Sequence, residues 1–116
     1  MSKRKPDQYF KDILDSIGKI RDYIGVSTYT EFIQDFKTVD AVIRNLEIIG
    51  EAAKNLPDEI HRVYPEVPWA EIIGMRNKVL HEYFGIDNEI LWNTATKDLQ
   101  DLESKIKLLL HQQRLV

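Results

Sequence analysis

Hydrophobic residues recur at intervals of three and four along most of this chain. One stripe steps through Phe10, Ile13, Ile17, Ile20 and Ile24, and a second through Val39, Val42, Leu46, Ile49 and Ala53. This spacing places apolar side chains on one face of an α-helix. It predicts one helix over residues 6–23 and another that ends near residue 55.

Polar residues, glycine and proline mark where these helices start and stop. Pro6 suits a first helical turn, and Gly25 suits the position just after a helix. Thr28 followed by Glu31 is typical of a capping box, which predicts a short helix to about residue 36. Pro57 ends the next long helix, and another short helix is expected through about residue 62.

Two further helices are expected in the second half. Pro65 and Pro68 mark a connector, after which a fourth main helix is predicted over residues 69–83. Asp87 can cap a last helix over about residues 88–111, whose stripe is Ala95, Leu99, Leu102, Ile106 and Leu109. No alternating pattern of useful length indicates a strand. The pattern therefore predicts a single all-α domain over residues 1–116, a four-to-five-helix up-and-down bundle.

The third helical segment carries more apolar surface than one core contact requires. Residues 41–53 are apolar on two adjoining faces and include the small residues Gly50, Ala52 and Ala53. Small residues permit close approach of a second helix. We therefore expect a homodimer that is built partly on this face.

Composition narrows the class of protein. The 116 residues carry a net charge of −3 and no cysteine, which excludes a disulfide framework and fits a cytoplasmic location. No signal peptide or stretch of about 18 apolar residues is present, so no membrane span is expected. Non-specific nucleic-acid affinity comes from neutralised phosphates, so an acidic chain would need a local basic site.

Residues 75–87, MRNKVLHEYFGID, bring together side chains suited to phosphate chemistry. Arg76 offers a planar set of donors that matches a phosphate, and His81 can exchange a proton near neutral pH. On a continuous helix, Arg76, Asn77, His81 and Tyr83 would share one broad face. Arg76 and His81 are sufficient for RNA cleavage without a metal, because the imidazole can act as the general base and the guanidinium can stabilise the transition state. An arginine and a histidine at this spacing are more often polar residues of a helix surface or interface, so spacing alone favours that interpretation over catalysis.

Other polar residues have two open interpretations. Arg44, Glu47 and Glu51 follow one line on the third helix. They either form the rim of the cleft, with a carboxylate orienting Arg76 or His81, or form a solvated face with a weak ion pair. His61 and His111 lack partners at metal-ligand spacing, so neither a metal nor another cofactor is expected.

A family resemblance favours the catalytic interpretation. The segment RNKVLHEY, Arg76 to Tyr83, resembles the R-x-x-x-x-H-x-Y motif of HepT-like toxins of the HEPN superfamily. The segments 41–57, 64–87 and 91–103 are also similar to that family, so the resemblance covers essentially the whole chain.

The resemblance implies a dimeric all-α toxin of a type VII-like toxin–antitoxin pair. It implies a metal-independent endoribonuclease whose motif residues from both chains line one cleft. Arg76 and His81 would be the catalytic pair, with Asn77 supporting them. The expected partners are RNA and an MNT-type nucleotidyltransferase antitoxin, which would neutralise the toxin by transferring AMP to Tyr83.

Two rival hypotheses remain open at this point. In one, the chain is a non-catalytic dimeric binding partner and modification substrate of a nucleotidyltransferase, which the acidic net charge favours. In the other, it is a purely structural helical module for which Arg76 and His81 are dispensable.

Overall fold

The computed structural model describes residues 4–81 and 85–112, with the backbone alone of His81. In the described residues, the helices are α1 Pro6–Ile24, α2 Tyr29–Gln34, α3 Phe36–Asn55, α4 Asp58–Val63, α5 Trp69–Ile73, α6 Met75–Val79, α7 Asn88–Asn93 and α8 Leu99–Gln112. A π-helical segment, Thr94–Asp98, joins α7 to α8 without a break. The predicted all-α bundle is confirmed.

The predicted start and stop signals act as expected in the first half. Gly25 ends α1 with a φ of 54°, a left-handed conformation that glycine adopts without a steric cost. The Thr28 hydroxyl accepts the Glu31 N–H, and the Glu31 carboxylate accepts the Thr28 N–H at 2.9 Å. Leu56, which precedes Pro57, is extended and terminates α3.

The predicted fourth helix over residues 69–83 is wrong. Gly74 has φ −87° and ψ 2° and separates α5 from α6, and the helix ends at Val79 because Leu80 is extended. The chain then reverses: strand β1, Leu80–His81, pairs antiparallel with strand β2, Gly85–Ile86. Gly85, with φ 81°, supplies the left-handed conformation that this reversal uses.

The core lies where α1, α3 and the helical run 88–112 meet. α1 packs against α3 on one side and against α8 on the other, and α5 and α6 pack on α3. The predicted stripe residues are buried except Ala95, which is partly buried, and Ile13, Val42, Leu46, Ile49 and Ile106 have 0% exposure. No helix in residues 4–81 and 85–112 is both long and apolar enough to cross a bilayer.

The small residues of α3 are used inside the chain. Gly50, Ala52 and Ala53 are all buried. A Cβ atom at Gly50 would lie 3.2 Å from the carbonyl oxygen of Ile73 and 3.3 Å from that of Ile72. Gly50 therefore lets α5 approach α3 closely. The close helix approach that the small residues predict is made at Gly50 by α5 of the same chain, and the homodimer on this face stays a prediction.

Candidate functional site

Packing of α6 on α3 fixes the position of Arg76. The flanking α6 residues Met75 and Val79 are buried, at 7% and 0% exposure. Arg76 follows Met75 at the edge of this contact and its side chain is 47% exposed. A guanidinium at the edge of a packed helix is anchored at its base and open to solvent at its tip.

A carboxylate on α3 bridges two arginines. Arg76 donates from Nε to Oε2 of Glu47 at 3.0 Å, and Arg44 donates from Nη1 to Oε1 of the same residue at 3.1 Å. Arg44 and Glu47 are one turn apart, so α3 sets their spacing. The predicted polar rim therefore includes a direct contact to Arg76, which is made by Glu47.

The remaining motif residues are placed differently from one another. Asn77 is exposed, and its Oδ1 accepts a long 3.4 Å hydrogen bond from Arg76 Nη1. The His81 backbone lies in β1, beyond the end of α6. The His81 side chain and Tyr83 lie outside the described residues. The expectation that four motif residues share one helical face is wrong, because α6 ends before His81.

A groove of about 260 Å³ adjoins this bridge. Arg44, Glu47 and Glu51 line it from α3. Arg4, Tyr9 and Asp12 line it from the start of α1, and sequence reasoning did not assign them to this region. Their proximity to α3 is a tertiary contact between residues about forty positions apart, which no local pattern reveals.

Contacts within the groove hold Arg4 in place. Arg4 donates from Nη1 to Asp12 Oδ2 at 2.6 Å, and its guanidinium carbon lies 4.8 Å from the centre of the Tyr9 ring. The hydrogen bond to Asp12, together with the charge of that carboxylate, raises the pKa of Arg4. Glu51 forms no ion pair with another residue in the described part of the chain.

A larger groove, of about 360 Å³, lies on another face of α6. Its floor includes Met75 and Leu102, while its charged residues are Glu71, Lys78, Lys97, Asp98 and Asp101. Carboxylates outnumber lysines there, so a phosphate would meet net repulsion. The groove beside the Glu47 bridge also has one carboxylate in excess, with Asp12, Glu47 and Glu51 against Arg4 and Arg44. The lining charges therefore do not separate the two grooves, and the exposed motif arginine is what selects the Arg76 face.

The chemistry available around Arg76 is binding and stabilisation of an oxyanion. In the residues that the structure describes, Arg76 Nη2 has no hydrogen-bond partner, while Nε is held by Glu47. A guanidinium with one nitrogen anchored and another open can donate to a phosphate oxygen in a fixed orientation. This arrangement needs a separate group to move a proton.

Comparison with known proteins gives consistent results. Residues 13–109 match the family model described as "Ribonuclease HepT-like". A protein of Thermococcus cleftensis named "Probable ribonuclease HepT" is 43% identical over 107 residues, which cover 92% of this chain and 97% of that protein.

Further relatives have similar coverage. A protein of Methanocaldococcus jannaschii, provisionally named an RNase, is 42% identical over 92% of each chain. Another such protein, from Caldanaerobacter subterraneus subsp. tengcongensis, is 38% identical over 96% of this chain and 99% of its own length. No solved structure gave a significant match.

Proposed function

The chain belongs to the ribonuclease HepT-like family, and from this premise we propose that it is a metal-independent endoribonuclease with Arg76 and His81 as its catalytic pair. The observation that carries the proposal is the guanidinium of Arg76, which Glu47 holds at 3.0 Å while the side chain remains 47% exposed. It lies in the segment that resembles the family motif.

The reaction follows from the chemistry of these two groups. His81 removes the proton of a ribose 2′-hydroxyl, and the 2′-oxygen forms a bond to the neighbouring phosphorus. The bond from phosphorus to the 5′-oxygen breaks, and that oxygen takes up a proton. Arg76 stabilises the charge that develops on the phosphate oxygens. The products are a 2′,3′-cyclic phosphate and a 5′-hydroxyl end.

The position of His81 just past the helix is compatible with this role. Arg76 and His81 are five residues apart, and the His81 backbone is fixed by its pairing with Gly85. The hydrogen bond from the Asp87 N–H to the Val79 carbonyl, at 2.8 Å, closes the same reversal. The His81 backbone is therefore held by hydrogen bonds within the reversal that follows α6.

The biological role that we propose is that of a toxin in a toxin–antitoxin pair. The partner is a nucleotidyltransferase that transfers AMP from ATP to the Tyr83 hydroxyl, releasing pyrophosphate. Tyr83 is two residues from His81. A bulky anion at this distance would repel an RNA phosphate from the catalytic pair. This repulsion explains physically how AMP on Tyr83 would neutralise the toxin.

Two variants test the nuclease. Arg76→Ala and His81→Ala should each lower RNA cleavage by at least about a hundredfold, as expected for loss of an electrostatic or a general-base contribution. The assay is the release of 2′,3′-cyclic phosphate ends from a labelled RNA in the presence of a chelator. Circular dichroism checks that each variant is folded. Cleavage by His81→Ala at the parent rate would rule out this mechanism.

Modification is tested by incubating the protein with a candidate nucleotidyltransferase and ATP. Mass spectrometry should show a gain of one AMP on the peptide that contains Tyr83, and Tyr83→Phe should abolish that gain. Modified protein should no longer cut RNA. If modified protein cuts RNA at the parent rate, AMP transfer is not the neutralising step.

A second candidate function is a non-catalytic modification substrate of such an enzyme. The net charge of −3 favours it, as does the carboxylate of Glu47 beside Arg76. Cleavage that persists through extensive purification and disappears in Arg76→Ala would exclude this alternative.

A further inference from the structure

We infer that Arg44 is a second phosphate-binding residue and that Glu47 is the positioning residue that holds Arg44 and Arg76 for two neighbouring phosphates of one RNA strand. This inference rests on the proposed nuclease function and adds the part of the substrate that the site would bind, which is two adjacent phosphates. It follows from the bridge in which one carboxylate accepts from both guanidiniums, at 3.0 and 3.1 Å.

Charge is the first argument. Arg76 and Glu47 alone form a neutral pair, which would attract a phosphate weakly. Arg44 on the second carboxylate oxygen gives the trio a net charge of +1, which Glu51 in the same groove offsets, so loss of Arg44 would leave the site net negative. The anion attraction of this site therefore depends on Arg44 as well as on the motif arginine.

Exposure and geometry are the second argument. The Arg44 side chain is 67% exposed, more than that of Arg76, so its guanidinium is accessible to a strand that reaches the catalytic pair. Each oxygen of the Glu47 carboxylate accepts from a different guanidinium, so the two guanidiniums are neighbours but occupy separate positions. Adjacent phosphates of a single strand also lie close together, which suits one guanidinium on each.

The third argument concerns what Glu47 does for catalysis. A carboxylate has two acceptor oxygens and can serve both arginines, whereas a glutamine amide has one oxygen and an NH₂ group that would face a donor. Glu47→Gln should therefore release one arginine while raising the local positive charge. A positioning residue that is lost in this way lowers kcat without weakening RNA binding.

Binding is measured in the His81→Ala background so that the RNA remains intact. Fluorescence anisotropy with a labelled oligoribonucleotide, repeated over a range of salt concentrations, gives the number of phosphates neutralised. Arg44→Ala should weaken binding about tenfold and reduce the slope of log K against log salt by about 0.7. Glu47→Gln removes a negative charge and no arginine, so it should leave that slope unchanged or make it steeper.

The matched controls come from the ion pair between Arg21 and Glu103, 2.6 Å, which joins α1 to α8. Arg21→Ala removes one surface arginine from an ion pair away from the motif, and it should leave the salt slope unchanged. If Arg44→Ala behaves like Arg21→Ala in both affinity and slope, Arg44 does not bind phosphate and the inference is overturned.

Catalysis is measured separately in the otherwise unaltered protein. Glu47→Gln should lower kcat about tenfold with KM unchanged or lower, and Glu103→Gln is its control. The penalty of Arg44→Ala on KM should shrink for a dinucleoside monophosphate, which has a single phosphodiester. A Glu47→Gln variant with the kcat of Glu103→Gln would overturn the positioning role.

These arms separate the inference from the proposed function. Absence of cleavage by the parent protein would refute the nuclease. The anisotropy measurement needs no cleavage, so it would still show whether Arg44 contributes to RNA binding. Urea denaturation of every variant checks that its effect is not a loss of fold.

Discussion

At the scale of single residues, the helix caps are where short-range sequence patterns determine the structure most directly. Thr28 and Glu31 exchange two hydrogen bonds at the start of α2. The pKa of Glu31 lies below its ordinary value of 4.5. The larger cause is the hydrogen bond from the Thr28 backbone, and the smaller is the hydrogen bond from the Thr28 side chain. At the start of α3, the Asp35 carboxylate accepts hydrogen bonds from the Thr38 hydroxyl and the Thr38 N–H, and these bonds lower the pKa of Asp35.

The lowered pKa of Glu31 predicts a pH-dependent contribution to stability. A carboxylate with a depressed pKa stabilises the fold above its unfolded value of 4.5, and that contribution is lost as pH falls through the lower folded value. Glu31→Gln should therefore reduce the urea midpoint at neutral pH, and the difference from the parent should vanish in acid. Asp15→Asn, in the middle of α1, is the control for removing one charge. A pH-independent difference would contradict the prediction.

At the scale of elements, apolar periodicity predicts a helix well where one face is packed along its full length. α1 and α3 satisfy this condition, and their buried residues follow the predicted stripes. The segment 69–86 does not satisfy it. Its buried residues Trp69, Ile72, Met75 and Val79 keep a helical spacing, and that spacing does not show the interruption at Gly74 or the extended conformation of Leu80. The pairing of Leu80 with Ile86 depends on contacts that form only in the folded chain.

In the candidate site too, local patterns predict some residues, while tertiary packing decides others. The motif places Arg76 in the sequence, and helical spacing places Glu47 beside Arg44. The contact between Glu47 and Arg76 spans 29 positions, so it depends on how α6 docks on α3. Tertiary packing is also why Arg4 and Tyr9 were missed, while their neighbours on α3 were predicted.

The close approach of α5 to α3 predicts that a branched side chain at position 50 destabilises the fold. In Gly50→Val, added atoms would press on the carbonyl oxygens of Ile72 and Ile73, at a cost of about 1–3 kcal/mol. Gly18 is the matched control, because a Cβ there meets nothing within 4 Å. Gly18→Val should change the free energy of unfolding by less than about 0.5 kcal/mol. Equal losses in urea denaturation would show that packing on α5 is not the cause.

At the scale of the whole molecule, the proposed homodimer needs a surface for the second copy. Gly50 on α3 lies against the carbonyl groups of Ile72 and Ile73 in α5, so that position is not open to a partner helix. Large apolar side chains are exposed at Val26, Phe36 and Leu108, with exposures of 102%, 75% and 50%. Exposed apolar side chains that are scattered singly are normal on a monomer, so these three residues do not assign the interface.

A shared cleft makes a specific prediction about mixed dimers. Light scattering at micromolar concentration should give twice the chain mass of 13.6 kDa. Arg76→Ala and His81→Ala, each inactive alone, should regain part of the RNA cleavage when they are refolded together. The mixed dimer keeps one intact arginine and one intact histidine in the same cleft. A monomeric mass, or no recovery in verified mixed dimers, would argue against a cleft built from both chains.

The bridge from Glu47 to two arginines has a consequence for exchanging parts between relatives. The catalytic motif is contiguous in sequence, yet its arginine is oriented by a residue on another helix. A chimera that grafts only residues 75–87 from a second family member would carry the donor's arginine onto the recipient's α3. Such a graft would transfer the reactive groups without the carboxylate that orients the arginine. The smallest segment set to transfer therefore also includes residues 44–47.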